Sequence, residues 1–93
     1  MRREIIKAAE WQLRTYGLPG TAEKGRWRAV IDETLEELPP DKARLCRMRY
    51  FEAMAVPEIL KTLPCSRPTY YAYRDEALYT LIAKAAREGL LKT

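Results

Sequence analysis

The sequence predicts an all-α fold of about five helices. Three observations predict it. Helix formers dominate, with four glycines among 93 residues, and no run of β-branched residues alternates as a strand would. Apolar residues recur at helical spacing, most cleanly at Trp27, Val30, Ile31, Thr34, Leu35 and Leu38. Helix-stopping residues at Gly17-Leu18-Pro19, Pro39-Pro40, Pro64 and Gly89 divide the chain into segments of helix length.

Arg2 to Tyr16 reads as the first helix. Ile5, Ile6, Ala9, Leu13 and Tyr16 share one face, and Arg2, Arg3, Glu4, Lys7, Glu10 and Arg14 fall mostly opposite. Gly17 is placed as its C-cap, and Pro19 blocks continuation. Trp11 falls beside the apolar stripe. It is expected as a partly buried core residue, with an anchor for a partner or a second copy as the alternative. Leu18 to Thr21 is a linker, and Thr21 can cap the second helix. The outer face of that helix carries Arg28, Asp32, Glu33, Glu36 and Glu37. Its acidic end would repel DNA, so residues 1–38 read as a two-helix brace or partner-binding part.

Leu38-Pro39-Pro40 stops the second helix, and Asp41 is a good N-cap for a third, Lys42 to about Glu52. Leu45, Cys46, Met48, Tyr50 and Phe51 make this helix apolar over a wide arc, so it is expected to be buried on much of its surface. Arg44, Arg47 and Arg49 lie among them. Such arginines usually snorkel over the core or stay solvated, and DNA backbone is the alternative partner. Ala53 to Ala55 connects to a short fourth helix from Val56. Pro57 suits its first position, Glu58 favours its dipole, and Ile59, Leu60 and Leu63 form its apolar face. After Leu63-Pro64-Cys65, a fifth helix runs from Ser66 or Arg67 to about Glu88. Ser66 can cap it. Tyr70, Tyr73, Ala77, Leu78 and Leu81 share one face, which assigns both tyrosines to the core. Gly89 ends the helix, and Leu90 and Leu91 can fold back onto the core.

Ninety-three residues suffice for one domain, 1–93, with a small core. The net charge is +4, and its distribution is uneven. Residues 1–40 carry seven Lys/Arg and seven Asp/Glu, whereas residues 41–93 carry ten and six, so the whole excess lies in the second part. Between Lys61 and Arg74 there are three basic residues and no acid. A solvated face and attraction to phosphate both fit that excess. There is no histidine, which removes the commonest general base and zinc ligand. Cys46 and Cys65 have no metal-ligand spacing and read as free, buried hydrophobes. No enzyme activity, metal or cofactor is expected. No apolar run reaches membrane length, and a reducing cytoplasm fits best.

Two helices joined by a short turn, the second opening with outward basic and aromatic residues, describe a helix-turn-helix that reads duplex DNA. The expected reading surface is Ser66, Arg67, Pro68, Thr69, Tyr71, Ala72 and Arg74, with Lys61 beside it. The helix N-terminus and the Ser66 and Thr69 hydroxyls suit phosphate. Arg67 can bind guanine O6 and N7 together, a contact worth about 1–3 kcal/mol. Tyr71 can meet a thymine methyl or a phosphate, and Arg74 and Lys61 are phosphate candidates.

The segment Leu38 to Leu81 resembles region 4 of bacterial sigma factors. The residues that carry the resemblance are the Leu38-Pro39 entry, Arg49-Tyr50-Phe51-Glu52, Glu58-Ile59, Ser66 and the Ala77-Leu78 pair. The chain is short for a sigma factor and shows no region 2. It looks more like small phage regulators of the RinA/ArpU type, on the Ser66 to Arg74 opening and the Gly89-Leu90-Leu91 ending. That resemblance implies a double-stranded-DNA-binding regulator of late phage genes in a bacterial host cell. One recognition helix reads few base pairs and makes few phosphate contacts, so a homodimer on paired half-sites or action beside RNA polymerase is expected. The chain departs from the pattern at Ala53, where region 4 commonly has Gly, so a left-handed residue needed there would be strained. It departs again at Pro68. Either Arg67 caps the fifth helix and Pro68 is its first residue, or Ser66 caps and Arg67 is pushed from ideal geometry. Rival readings are a terminase small-subunit-like packaging protein and an adaptor that binds RNA polymerase without reading DNA.

Overall fold

Helical periodicity and proline stops produce five helices in the computed structural model, which describes residues 3–91. They are α1 (Arg3–Arg14), α2 (Ala22–Glu37), α3 (Pro40–Cys46, continued by a π-helical segment Arg47–Phe51), α4 (Val56–Thr62) and α5 (Arg67–Arg87). Arg2, expected in the first helix, lies outside the described residues. No strand forms among them.

Several boundaries differ from expectation for local reasons. α1 ends at Arg14 because the chain turns there: Thr15 Oγ1 donates to the Trp11 carbonyl at 2.8 Å, and the Leu18 N–H donates to the Thr15 carbonyl at 3.0 Å. Gly17 is therefore not a left-handed cap, whereas Gly89, at φ 72, ends α5 as expected. Thr21 occupies the N-cap position of α2, but its side chain makes no capping bond. Asp41 is not the N-cap of α3. Pro39 takes that place, Pro40 is preset for the first helical position, and Asp41 falls in the first turn.

The end of α3 is wound wide. The Glu52 N–H reaches the Arg47 carbonyl at 2.9 Å, and the Met54 N–H reaches the Met48 carbonyl at 2.9 Å. Ala53 closes this ending at φ 53, in the left-handed region that glycine would adopt freely. The Arg49 guanidinium donates to the Met54 carbonyl at 3.1 Å and pins the connector.

Two apolar clusters form the core, and α5 contributes to both. The larger one joins Ala9 and Leu13 of α1, Trp27, Val30 and Ile31 of α2, and Leu78, Leu81 and Ile82 of α5. Leu90 and Leu91 fold onto it. The smaller one joins Leu45 and Met48 to Ile59, Leu63 and Tyr70, and it sets the position of α4 against the start of α5. Lys84 links α5 to Glu33 and Glu37 of α2, and Lys42 links α3 to Glu76. Cys46 is buried, and Cys65 is half-buried against the smaller cluster; both are free. Burial pushes the Cys46 thiol up to about 12.

Three aromatic expectations are corrected. Trp11 is 62% exposed, because α1 turns Ala9 and Leu13 inward and leaves the indole on its outer side. Phe51 is exposed rather than buried, stacked on Tyr16 with ring centroids 4.7 Å apart. Tyr73 is half-buried at the margin of the smaller cluster, with the Lys42 ammonium 5.1 Å from its ring centroid. Among the described residues, no helix is long and apolar enough to cross a membrane.

Candidate nucleic-acid interface

The turn between α4 and α5 spans residues 63–66. Leu63 is buried and ends α4, and the Cys65 N–H bonds back to the Leu63 carbonyl at 2.8 Å. Ser66 is extended at φ −78, ψ 166, and its Oγ accepts the Thr69 N–H at 3.3 Å. It also donates to Thr69 Oγ1 at 3.0 Å. Ser66 is thus the N-cap, Arg67 is the first helical residue and Pro68 the second. Of the two geometries the sequence allowed, the structure adopts this one. Proline is tolerated in the first turn because an N–H there would have no partner inside the helix.

The smaller cluster holds this entry in place. Tyr70 is fully buried, while Tyr71 beside it is 40% exposed and meets the Tyr70 ring edge-on at 5.0 Å between centroids. One step along the helix therefore separates a core tyrosine from an outward one. The Tyr70 hydroxyl has no hydrogen-bond partner among the described residues, and burial raises its pKa.

Lys61, Ser66, Arg67, Pro68, Tyr71 and Ala72 are all exposed, and Thr69 is half-buried by its cap. Lys61 and Arg67 make no ion pair among the described residues. Arg74 is placed differently. It is half-buried, its guanidinium lies 4.9 Å from the Tyr71 ring centroid, and Nη2 donates to Asp75 Oδ1 at 2.9 Å. Burial alone would lower its pKa, but the bond to Asp75 and the Asp75 charge more than offset that and hold the guanidinium charged. Asp75 therefore neutralises much of what Arg74 would offer a phosphate.

Helical spacing sets Arg44, Arg47 and Arg49 alike among apolar residues, and the structure separates them. Arg49 is tied to the connector, and Arg47 is exposed. Arg44 lines an open groove of about 400 Å³ with Asp41, Leu63, Cys65, Ser66 and Thr69. Helical spacing could not have shown this, because the groove depends on how α3 crosses the turn. Among the described residues, no group of three or more His, Cys, Asp or Glu could hold a metal ion.

The arrangement is an all-α frame in which a short helix, a four-residue turn and a capped long helix present basic and polar side chains to solvent. The chain belongs to the family described as a protein of unknown function (DUF1492), whose family model matches residues 20–82. That match spans α2, α3, α4 and most of α5, and so includes every candidate interface residue. No curated protein and no solved structure matches the chain.

Proposed function

We propose that this chain is a sequence-specific double-stranded-DNA-binding transcription regulator, of the sigma-region-4-like kind that activates late genes in phages and prophages. It would act in the cytoplasm of a bacterial host and carry no catalytic step. The observation that carries the reading is the α5 entry: an exposed Arg67, with no ion pair among the described residues, on a capped helix N-terminus, with Lys61 at the end of the preceding helix. A helix N-terminus and two exposed cations favour phosphate, and an arginine fork at the first helical position suits a guanine edge. Arg67, Tyr71 and Ala72 would face bases, and Ser66, Pro68, Thr69 and Lys61 would lie along the backbone. Arg74 would act through Tyr71, which it stacks against, more than through a phosphate of its own. One such helix reads few base pairs, so a second copy of the chain or RNA polymerase would be needed for useful affinity.

The test is selection of bound duplexes from a random pool at two salt concentrations, for wild type, Arg67→Ala and Arg74→Ala. The wild type should enrich one motif. Arg67→Ala should relax preference at one position, at a cost of about 1–3 kcal/mol. Arg74→Ala should weaken binding less. No enriched motif with the wild type would end the reading. The pairing of Arg74 with Asp75 favours one rival, an adaptor that keeps this shape but binds RNA polymerase alone, and that rival predicts capture of polymerase with no enrichment.

A further inference from the structure

The outward face of α1 is the least explained surface of the molecule. Its stripe holds Arg3, Lys7, Trp11 and Arg14, all exposed; of the two acids beside it, Glu4 is exposed and Glu10 is half-buried and accepts the Tyr50 hydroxyl at 2.7 Å, and Leu18 just beyond the helix is 56% exposed. Arg3, Lys7 and Arg14 make no ion pair among the described residues. Arg14 also reaches over Tyr50, 5.6 Å from its ring centroid, and still remains exposed. A tryptophan 62% exposed within a basic stripe has the composition of an interface centre, where Trp and Arg are enriched.

The outer face of α2 is its opposite in charge. Asp32, Glu33, Glu36 and Glu37 are exposed there within two turns. The basic residues of α2 are drawn away from them. Arg28 donates to the Tyr16 and Leu18 carbonyls, and Arg26 donates to the Glu88 carbonyl. Lys84 offsets Glu33 and Glu37, whereas Glu36 has no ion pair among the described residues. One turn before Asp32, Ala29 is exposed, so the approach beside the acids is low enough for an indole ring.

We propose that the Lys7–Trp11–Arg14 face of α1 docks on the Ala29–Asp32–Glu36 face of α2 in a second copy of this chain. Each copy carries both halves. A two-fold pair therefore makes the contact twice and closes, without an open-ended filament. The attraction is between opposite charges at the rim, with Trp11 desolvated at the centre. This deepens the DNA-reading proposal by naming the surface that brings the second reader, but its test contains no DNA, so the two can fail separately.

Sedimentation equilibrium from low to high micromolar protein provides the test. The wild type should reach twice the 10.8 kDa chain mass, and added salt should weaken the pair. Trp11→Ala should raise the dissociation constant about tenfold or more while leaving far-UV circular dichroism unchanged. Lys7→Glu and Glu36→Lys should each impair the homodimer. Mixing those two variants should restore pairing, because one contact then joins the two new charges in reverse and the other joins the two original residues. A wild-type monomer at high micromolar concentration would overturn the proposal. So would a dimer indifferent to Trp11→Ala, which would place the contact elsewhere, or a mixture that stays monomeric.

Discussion

Replacing Ala53 with glycine should stabilise the protein. Ala53 is exposed and sits at φ 53, where it lets the wide end of α3 turn toward α4. The left-handed region costs an L-residue with a Cβ about 1–2 kcal/mol. Glycine removes that cost but returns about 0.4–1 kcal/mol, because it widens the unfolded ensemble. The exposed methyl group leaves little packing to lose, so the net gain should be about 0.5–1 kcal/mol. In a domain of this size, that corresponds to a rise in Tm of roughly 2–8 °C. Urea and thermal unfolding followed by far-UV circular dichroism measure it. Ala83→Gly supplies the contrast. Ala83 is exposed within α5, and glycine there should cost about 1 kcal/mol. If Ala53→Gly lowers stability as Ala83→Gly does, the left-handed turn is absent in solution and the account of the α3 ending is wrong.

Ser66→Ala removes the acceptor of the Thr69 N–H and should cost about 1 kcal/mol in urea unfolding, with Ser66→Gly costing only a few tenths. Equal losses from the two would mean that the hydroxyl does not cap. Tyr70→Phe deletes a buried hydroxyl without a partner among the described residues, and should be neutral or stabilising by about 1 kcal/mol. A clear loss of stability would show that the hydroxyl is bonded after all. Alkaline pH should destabilise the fold through Cys46. Its thiol is raised from 9.0 to about 12, so above pH 9 the unfolded chain ionises first and binds fewer protons than the folded one. Stability then falls as pH rises, by about 1.4 kcal/mol at one pH unit above the unfolded value if the shift holds in full. Cys46→Ala should flatten that slope, and coincident slopes would remove Cys46 as the cause.

Helix existence was legible because apolar spacing is a local property. Trp27, Val30, Ile31, Thr34 and Leu35 are all buried, as their period requires, and Leu90 and Leu91 pack back beyond Gly89. Cap assignment was less legible, because several residues compete for one place. Pro39-Pro40 outcompeted Asp41, since a preset φ starts the helix before the carboxylate can. The placement of Trp11 depends on which neighbours reach it, and helices at 22–37 and 67–87 were too far along the chain for its own spacing to tell. The candidate interface divides in the same way. Burial of Tyr70 and exposure of Arg67, Tyr71 and Ala72 followed from the helical period. The retreat of Arg74 did not, because its partner Asp75 and its stacking on Tyr71 are choices of side-chain conformation. Arg44 was legible as a basic residue but not as part of the Ser66 groove.

The length of α5 ties these surfaces together. At 21 residues it spans about 31 Å, with its start in the smaller cluster and the remainder in the larger one. The α5 entry is therefore set by α4 through Ile59, Leu63 and Tyr70, while the same helix is gripped by α1 and α2 farther along. Movement at either end must disturb one of the two clusters, since Tyr70 and Leu81 cannot both keep their packing if the helix shifts by a turn. The proposed pairing face lies on α1 and α2, at the gripped end. In a pair built through that face, the separation of the two α5 entries would be fixed by packed helices rather than by a linker. A regulator of this design would read paired half-sites at one spacing and lose affinity when base pairs are inserted between them. Pro68 acts on the remaining freedom. Its ring fixes φ in the first turn, immediately after Arg67, so the side chain best suited to a base edge is carried on the stiffest part of the entry.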